Sequence, residues 1–333
     1  MRRHKLLFLV IVAFAIWLIS RVVPKEHQGN PPAQVVQQGR PSIGPEAPRG
    51  GSGEIRAVNS LDTELQQAVL EEDVSRVRAA IGKGANANSR YGPDTTRKSG
   101  DNGMPVLGMA ADLGNEEIVR ELLSAGADPA QGNPTGYAPL QNAACGGFPT
   151  IVRMLLDAGA KVDQENSDGE TPLMGSAFVA VCMNDKEERM LSSLPYLADN
   201  MKAINASDAW FRERCDRNTQ AASLLIDAGA TVNHLSLTRT ALGIASRFPC
   251  TPLVNLLIQR GANVNLTDPN GYGKTPLIEA AESNNPTVVE ILLRAGADPR
   301  TKYYEETALM IAAKKGYIEI VHLLQENIDL YWR

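Results

Sequence analysis

The sequence predicts an all-α solenoid of about seven helix-turn-helix repeats with short β-turn fingers, behind an N-terminal hydrophobic helix. Two short signals, a Gly-Ala pair and a Thr-Pro-Leu-like triplet, recur in phase through most of residues 61–327, which is typical of a repeat architecture. An uncharged apolar run begins at Leu6, directly after a basic start. The composition, with 43% hydrophobic and 21% charged residues, is that of an ordinary globular chain.

Residues 1–23 are predicted to form a membrane anchor or a signal peptide. The apolar stretch from Leu6 to Val23 lies between the length of a spanning helix, about 20 residues, and that of a signal-peptide core, about 7–15. We favour an anchor, because Trp17 sits near the far end and no small-x-small cleavage site follows. Basic residues before the stretch outnumber those after it, which predicts an extracytoplasmic body. A bacterial inner membrane facing the periplasm fits this best, and a secreted or periplasmic protein after cleavage is the alternative.

Residues 24–54 are rich in Pro, Gly and Gln and predict a disordered linker. The remaining residues, 55–330, form the predicted repeat domain.

Two recurring signals define the repeats. The Gly-Ala pairs have spacings of 42, 33, 70, 32 and 35 residues and begin at Gly84, Gly126, Gly159, Gly229, Gly261 and Gly296. The triplets begin at Ala138, Thr171, Thr240, Thr275 and Thr307. On these residues the chain resembles the ankyrin-repeat family, whose unit of about 33 residues is a turn followed by two helices.

Elementary physics agrees with this pattern in the fullest copy, Thr275–Pro299. Thr275 is a good N-cap, and the proline after it occupies the first helical position, where no amide hydrogen is needed. Gly296 ends the second helix in a left-handed conformation. One unit cannot bury its own apolar stripe, so stacked units share a core, and we expect the first and last units to be caps with more polar outer faces.

Two of the spacings between Gly-Ala pairs, 42 and 70 residues, exceed the repeat length of about 33 residues. In the spacing of 42 residues, the additional residues fall within a turn insertion near residues 89–103, which predicts an enlarged finger. We interpret the additional residues in the spacing of 70 residues as a helical insertion near residues 178–215 that prolongs the first helix of its unit and then returns to the second. A degenerate repeat remains the alternative.

The four cysteines are too few for a disulfide scaffold. Cys182 and Cys215 bracket the long insertion, so a bridge between them is possible, with two reduced thiols as the alternative. Cys145 and Cys250 fall in repeats separated by a whole repeat, beyond the reach of a disulfide. We therefore expect no bridge between that pair.

Charge and motif content argue against several functions. The net charge is −5 with a pI near 5.5, which argues against a nucleic-acid binder. Only four histidines are present, and PNGYGKT at Pro269–Thr275 lacks the first glycine of a phosphate loop. We expect no enzyme activity, no catalytic or metal-binding residue and no small-molecule cofactor.

The resemblance implies that a partner protein binds the finger tips and inner helices of a concave face. Carried over by position, it identifies twelve candidates, among which aromatics and arginine are the usual anchors. They are Met104, Asp112, Leu113, Tyr137, Glu170, Phe178, Arg247, Phe248, Lys274, Glu282, Ser283 and Lys314. Two of these residues have an alternative role. Phe248 could fill the interface with the next unit, and Phe178 could pack under the insertion.

The sequence therefore predicts a non-catalytic protein–protein interaction module with an inhibitor, immunity or scaffold role outside the cytoplasm. It is held at the membrane by its N-terminal helix, and the partner protein is unidentified. One alternative is an enzyme whose acids lie in the 178–215 insertion, namely Asp185, Glu187, Glu188, Asp199 and Asp208. Another is a structural element assembled by end-to-end stacking, against which the expected polar caps argue.

Overall fold

The computed structural model describes residues 60–92, 103–179, 209–236, 239–267 and 273–330. The chain divides into two units, Met1–Glu54 and Ile55–Arg333, and all described residues belong to the second. The predicted anchor residues Leu6, Trp17 and Val23 and the linker therefore lie outside the described residues. Among the helices that are described, none is both long enough and apolar enough to cross a bilayer.

Seven helix pairs follow one another in the described residues, as the sequence predicts. In each pair, here called a unit, the first helix is termed inner and the second outer. Inner helices contact the inner helices of neighbouring units, and outer helices contact outer ones. The pairs are α1 (Ser60–Leu70) and α2 (Val74–Gly82), α3 (Val106–Leu113) and α4 (Glu116–Ser124), α5 (Pro139–Gly146) and α6 (Pro149–Asp157), α7 (Pro172–Ala177) and α8 (Ala209–Asp227), α9 (Ala241–Ala245) and α10 (Thr251–Gln259), α11 (Pro276–Glu282) and α12 (Pro286–Arg294), and α13 (Ala308–Lys315) and α14 (Ile318–Leu330).

The inner helices begin where the triplets predict. In units 4 to 7 a threonine hydroxyl accepts a hydrogen bond from the amide three residues later, which satisfies one orphan donor of the first turn. The capping threonines are Thr171, Thr240, Thr275 and Thr307.

The outer helices end at the Gly-Ala pairs. Gly296, for example, follows α12 with a φ of 89°, a left-handed conformation that a side chain would strain. The other five glycines of these pairs also have positive φ. A glycine at this position therefore sets the length of every outer helix in units 1 to 6.

The core runs continuously through the stack. Leu122 of α4, Leu155 of α6 and Leu292 of α12 are fully buried and occupy equivalent positions on their outer helices. Replacing a leucine of this kind by alanine typically costs about 2–5 kcal/mol of the free energy of unfolding. No unit encloses this core by itself, so its stability depends on its neighbours.

A ladder of asparagine side chains ties the turns of successive units together. Asn265 donates from Nδ2 to the carbonyl oxygen of Gly296 at 3.0 Å and accepts from the amide of Asp298 at 2.8 Å. Asn233 and Asn88 make the same pair of bonds to the unit that follows them. In all three cases the asparagine stands four residues after the glycine of a Gly-Ala pair.

The fingers join the outer helix of one unit to the inner helix of the next. In unit 7 the finger is a hairpin of β1 (Lys302–Tyr303) and β2 (Glu306–Thr307), which pair antiparallel. The enlarged finger of unit 2 also has a paired base, because the amide of Tyr91 donates to the carbonyl of Met104 at 3.0 Å. Its tip, residues 93–102, lies outside the described residues.

Unit 4 departs from the prediction at its inner helix. α7 is only six residues long and ends at Ala177, so the expected prolongation of this helix is wrong. α8 is 19 residues long and packs between the outer helices of units 3 and 5, which makes it the outer helix of unit 4. Residues 180–208 lie outside the described residues, so their interpretation as an insertion stays a prediction.

The disulfides also differ from the prediction. Cys215 of α8 is bonded to Cys250, the N-cap of α10, with a Cα–Cα distance of 5.6 Å, so the predicted Cys182–Cys215 bridge is wrong. The physical reason is that α8 and α10 are neighbouring outer helices, and this contact brings the two cysteines together. Cys145 is disulfide-bonded as well, and the expectation that it does not pair with Cys250 is confirmed. Cys182 lies outside the described residues.

The two ends of the stack are unlike. The exposed positions of α1 in unit 1 are polar, for example Thr63 and Gln67, as expected of a cap. In unit 7, by contrast, Met310 and Ile318 are exposed. Lys314, Lys315, Glu319 and Glu326 are exposed there as well, so the exposed residues of the last unit are mostly polar, as expected of a cap, with two large apolar side chains among them.

Candidate functional site

The surface formed by the fingers and the inner helices is called the finger surface below. Residues 273–283 contribute the finger and inner helix of unit 6, and residues 301–315 those of unit 7. The inner helices lie next to one another from unit to unit, so side chains from different units meet on this surface. Five of the twelve predicted partner-binding residues fall into two groups there.

The first group is a charged cluster across units 5, 6 and 7, made of Arg247, Lys274, Glu279, Glu282 and Lys315. Arg247 Nε lies 3.8 Å from Glu279 Oε2. Lys274 forms an ion pair with Glu282, and Lys315 donates to the backbone carbonyl of Glu282 at 3.0 Å. Three predicted residues, Arg247, Lys274 and Glu282, are thus brought together from two units.

The pKa values of the two carboxylates in the charged cluster, Glu279 and Glu282, are shifted in opposite directions. Burial raises the pKa of Glu279 above its ordinary value, although the charges of Lys274 and Arg247 act against it. Burial also raises the pKa of Glu282, but its hydrogen bond and charge interaction with Lys274 outweigh this effect and hold the pKa below the ordinary value. A buried carboxylate therefore stands beside a well-paired one.

The charged cluster continues into the finger of unit 7. The ammonium group of Lys274 lies 5.1 Å from the ring centroid of Tyr303, within cation–π range. The ring of Tyr303 meets that of Tyr304 edge to face at 4.6 Å. Tyr304 is 64% exposed at the tip of the hairpin and has a φ of 44°, which is unusual for a bulky residue.

The second group joins the fingers of units 3 and 4. The hydroxyl of Tyr137 donates to Glu170 Oε2 at 3.4 Å, and Asn166 Nδ2 donates to the same oxygen at 3.1 Å. Burial raises the pKa of Tyr137, and the charges of Glu170 and Asp168 raise it further. The predicted residues Tyr137 and Glu170 are therefore in contact with each other.

Several candidates are unsuited to anchor a partner. Phe248 and Met104 are buried, with 8% and 7% exposure, so they are corrected from surface anchors to packing residues. For Phe248 this agrees with its alternative role as a filler between units. Phe178 is half-buried against the core.

The other candidates keep some exposure. Asp112 and Leu113 are half-buried at the end of α3, while Ser283 and Lys314 are exposed. Lys314 donates to Glu306 Oε1 at 3.2 Å within its own unit.

Sequence reasoning missed two features of the finger surface. Glu279 is not among the predicted residues, because a charged residue on a helix is normally expected to face solvent. In the structure it is buried. Tyr303 and Tyr304 are missed although two adjacent tyrosines before the last triplet are a visible signal.

A buried polar seam between units 3 and 4 is also missed. Arg214 and Asn218 of α8 are fully buried. Arg214 donates to the carbonyl of Cys145 at 2.9 Å, and Asn218 to that of Ser176 at 2.8 Å. Their spacing places them on the same face of α8 as the buried Phe211 and Leu225, but a face is recognised in a sequence by apolar residues and these two are polar.

In the part of the chain that the structure describes, no group of His, Cys, Asp and Glu side chains is arranged to hold a metal ion. The five acids of the alternative enzyme hypothesis, Asp185 to Asp208, lie outside the described residues. The contacts of the finger surface are ion pairs, hydrogen bonds and ring contacts, all of which suit recognition of another macromolecule.

Comparison with known proteins adds the family. The family model described as ankyrin repeats matches three times, over residues 65–166, 107–208 and 242–331. The human ASB11 ankyrin repeat domain has a TM-score of 0.58 at 20% identity and covers 79% of this chain and 96% of its own. The ankyrin repeat domain of Bcl-3 has a TM-score of 0.52 at 23% identity, covering 79% and 98%. At these identities the structural similarities establish the fold alone.

One curated relative illustrates the extent of the sequence similarity. The B-cell lymphoma 3 protein homolog of Mus musculus is 36% identical over 86 residues, which is 26% of this chain and 19% of that protein. The chain thus spans about a fifth of the length of this relative.

Proposed function

The chain belongs to the ankyrin-repeat family, and on that basis we propose that it is a non-catalytic module that holds a partner protein on its finger surface. Ankyrin-repeat domains bind other proteins and are typically scaffolds without enzyme activity. By the family's geometry the finger surface is the concave face. The partner would be bound stoichiometrically, in an inhibitor, immunity or scaffold role.

The observation that carries this proposal is the charged cluster. Arg247 pairs with Glu279 across units 5 and 6, and Glu282 pairs with Lys274 and with Lys315 of unit 7. Because Glu279 and Glu282 lie less than one turn apart on α11, the two sets of ion pairs offer a partner one continuous surface. The exposed Tyr304 stands next to it, and aromatic and arginine side chains are the usual anchors of an interface. Arg247 remains 39% exposed and is available to a partner carboxylate.

We further propose that the module works outside the cytoplasm, held by the N-terminal apolar segment. Disulfides persist in oxidising compartments, and the Cys215–Cys250 bridge supports such a location. The basic start before Leu6 supports the same orientation. A bacterial inner membrane facing the periplasm is the compartment that fits both features.

Co-purification from intact cells tests the binding proposal. The full-length tagged protein is compared with Arg247→Ala and Lys274→Ala, and with Arg294→Ala as the matched control, because Arg294 is an exposed, ion-paired cation on an outer helix. We expect one partner in stoichiometric amount, reduced about tenfold by either cluster variant, as for an interface anchor, and unchanged by the control. Equal recovery with all four proteins would refute a role for the charged cluster.

Alkylation of thiols in intact cells tests the location separately. A protein in an oxidising compartment should remain unmodified by a membrane-permeant maleimide until a reductant is added. Complete modification without reductant would place the body in the cytoplasm, whatever the outcome of the binding experiment.

A further inference from the structure

We propose that the partner protein presents an acidic segment to the finger surface, and that Arg239 and Arg247 of unit 5 bind its carboxylates. This inference rests on the proposed function and specifies the chemistry of the partner. The two arginines flank α9, since Arg239 directly precedes the capping Thr240 and Arg247 follows shortly after Ala245, the last residue of the helix. Because α9 has only five residues, less than two helical turns separate its ends.

The guanidinium groups of both arginines keep their hydrogen-bonding capacity. Arg239 is exposed, and its side chain forms no ion pair or hydrogen bond with a described residue. Arg247 is 39% exposed, and its Nε lies 3.8 Å from Glu279 Oε2, which is too far for a hydrogen bond. A guanidinium offers five N–H donors in a planar fork that matches the two oxygens of a carboxylate. Two such groups on one surface are therefore suited to bind carboxylates.

The charges around the buried Glu279 leave an excess of positive charge. Glu279 lies on α11, which packs next to α9, and is only 7% exposed. Burial raises its pKa, and the charge of Arg239 is close enough to act against this effect together with that of Arg247. The charged cluster contains three cations and two carboxylates, and Arg239 adds a fourth cation beside it. This part of the finger surface should therefore attract anionic groups of a partner.

The fingers and inner helices of units 3 and 4 have the opposite charge. Residues 131–146 and 164–177 contain three carboxylates, Glu165, Asp168 and Glu170, and no lysine or arginine. None of the three forms an ion pair with a lysine or an arginine in the part of the chain that the structure describes. An acidic segment is repelled by these units and attracted by unit 5, so the charges determine where along the solenoid it binds.

The surroundings favour a peptide segment over a uniformly charged polyanion. Lys274 of the charged cluster contacts the ring of Tyr303, which in turn meets the exposed ring of Tyr304. These rings offer an apolar contact beside the cations, and tyrosine is a common anchor at protein interfaces. The net charge of −5 opposes the binding of a nucleic acid. Carboxylates next to an apolar side chain, as an acidic peptide provides them, match this arrangement.

Fluorescence anisotropy with a labelled oligoglutamate peptide tests the site on the full-length, disulfide-bonded protein in a neutral detergent. An oligoglutamine peptide of equal length is the uncharged control probe. We expect saturable binding of oligoglutamate alone, weakened about tenfold by Arg239→Gln and by Arg247→Gln, as for the loss of one charge-assisted contact. Arg294→Gln is the matched control variant, because it removes an exposed cation from an outer helix and should leave binding unchanged.

Two of the variants separate binding from folding. Arg239→Gln breaks no side-chain contact with a described residue, so its thermal unfolding should match that of the unaltered protein. Arg247→Lys keeps the positive charge but lacks the planar fork, so its affinity for oligoglutamate should be intermediate. Three results would overturn the carboxylate site: no binding of oligoglutamate, equal binding by all variants, or equally tight binding of a single-stranded oligonucleotide that the same variants weaken.

The complex co-purified with the full-length protein provides the second arm of the test. Saturating oligoglutamate should displace the partner, whereas oligoglutamine should not. A complex that persists in both would contradict recognition of an acidic segment and leave the proposed function intact. Oligoglutamate binding that depends on Arg239, without any recoverable partner, would contradict the proposed function and support the carboxylate site.

Discussion

At the scale of single residues, neighbouring positions on one helix have opposite electrostatic properties. Glu279 and Glu282 are separated by less than one turn of α11, but burial dominates at the first and pairing with Lys274 at the second. Their pKa values are displaced in opposite directions from a common reference value of 4.5. The stability of the charged cluster should therefore respond to pH through two opposing contributions.

Substitution by glutamine separates these contributions. The raised pKa of Glu279 means that the folded state loses stability as pH rises from 4.5 through the folded value, so Glu279→Gln should gain stability relative to the unaltered protein over that interval. The lowered pKa of Glu282 means that stability present above 4.5 is lost as pH falls through the folded value. Glu282→Gln should therefore lose relative stability as pH rises. Urea unfolding of the two variants at pH values on either side of 4.5 measures both changes in stability. If the two variants showed the same pH dependence, the opposite pKa shifts of Glu279 and Glu282 would be contradicted.

The asparagine ladder makes a second residue-scale prediction. Ala130 occupies the ladder position of unit 2, so the turns of units 2 and 3 lack this pair of bonds. Ala130→Asn should raise the free energy of unfolding by about 0.5–1.5 kcal/mol, the net value of a hydrogen bond. Asn265→Ala should lower it by a similar amount by removing the bonds to Gly296 and Asp298. If urea unfolding shows no effect of either change, the ladder has no energetic role.

At the scale of helices, local signals predict most of the structure. Thr275 and Gly296 mark the start of α11 and the end of α12, because caps and left-handed glycines act on the adjacent turn alone. The end of α7 is not predictable in this way, since residues after Ala177 carry helical periodicity without forming helix up to 179. The pairing of Cys215 also escapes prediction, because it depends on contact between two outer helices.

The Cys215–Cys250 disulfide joins α8 to α10 and so links units 4 and 5. The inner helices of these units are the shortest of those described, at six and five residues, and each offers little area for stacking. Replacing both cysteines by alanine opens a loop of 35 residues and should cost about 4 kcal/mol. Hydrogen exchange should accelerate first in α8 and α10, while α12 and α14 respond less.

Ser223→Ala is the control for the disulfide prediction, because Ser223 lies on the same helix and is only partly buried. Equal loss of protection in all units after removal of the disulfide would mean that the solenoid unfolds as a single cooperative body.

At the scale of the whole molecule, the two in-phase signals predict seven units and their order, because a solenoid repeats one local rule. They do not predict what lies on its surfaces. Phe248 and Arg247 are adjacent in sequence, yet the first is buried in the core and the second faces Glu279. Met310 and its counterpart Ile278 are likewise similar in sequence, yet the first is exposed and the second is buried.

The central claim is that the finger surface binds a partner protein. The most direct test is the hydrogen-exchange footprint of the complex co-purified with the full-length protein. The account predicts slower exchange in residues 273–283 and 301–315, with little change in outer helices α10 and α12. Protection confined to the outer helices, with the fingers and inner helices unchanged, would contradict it.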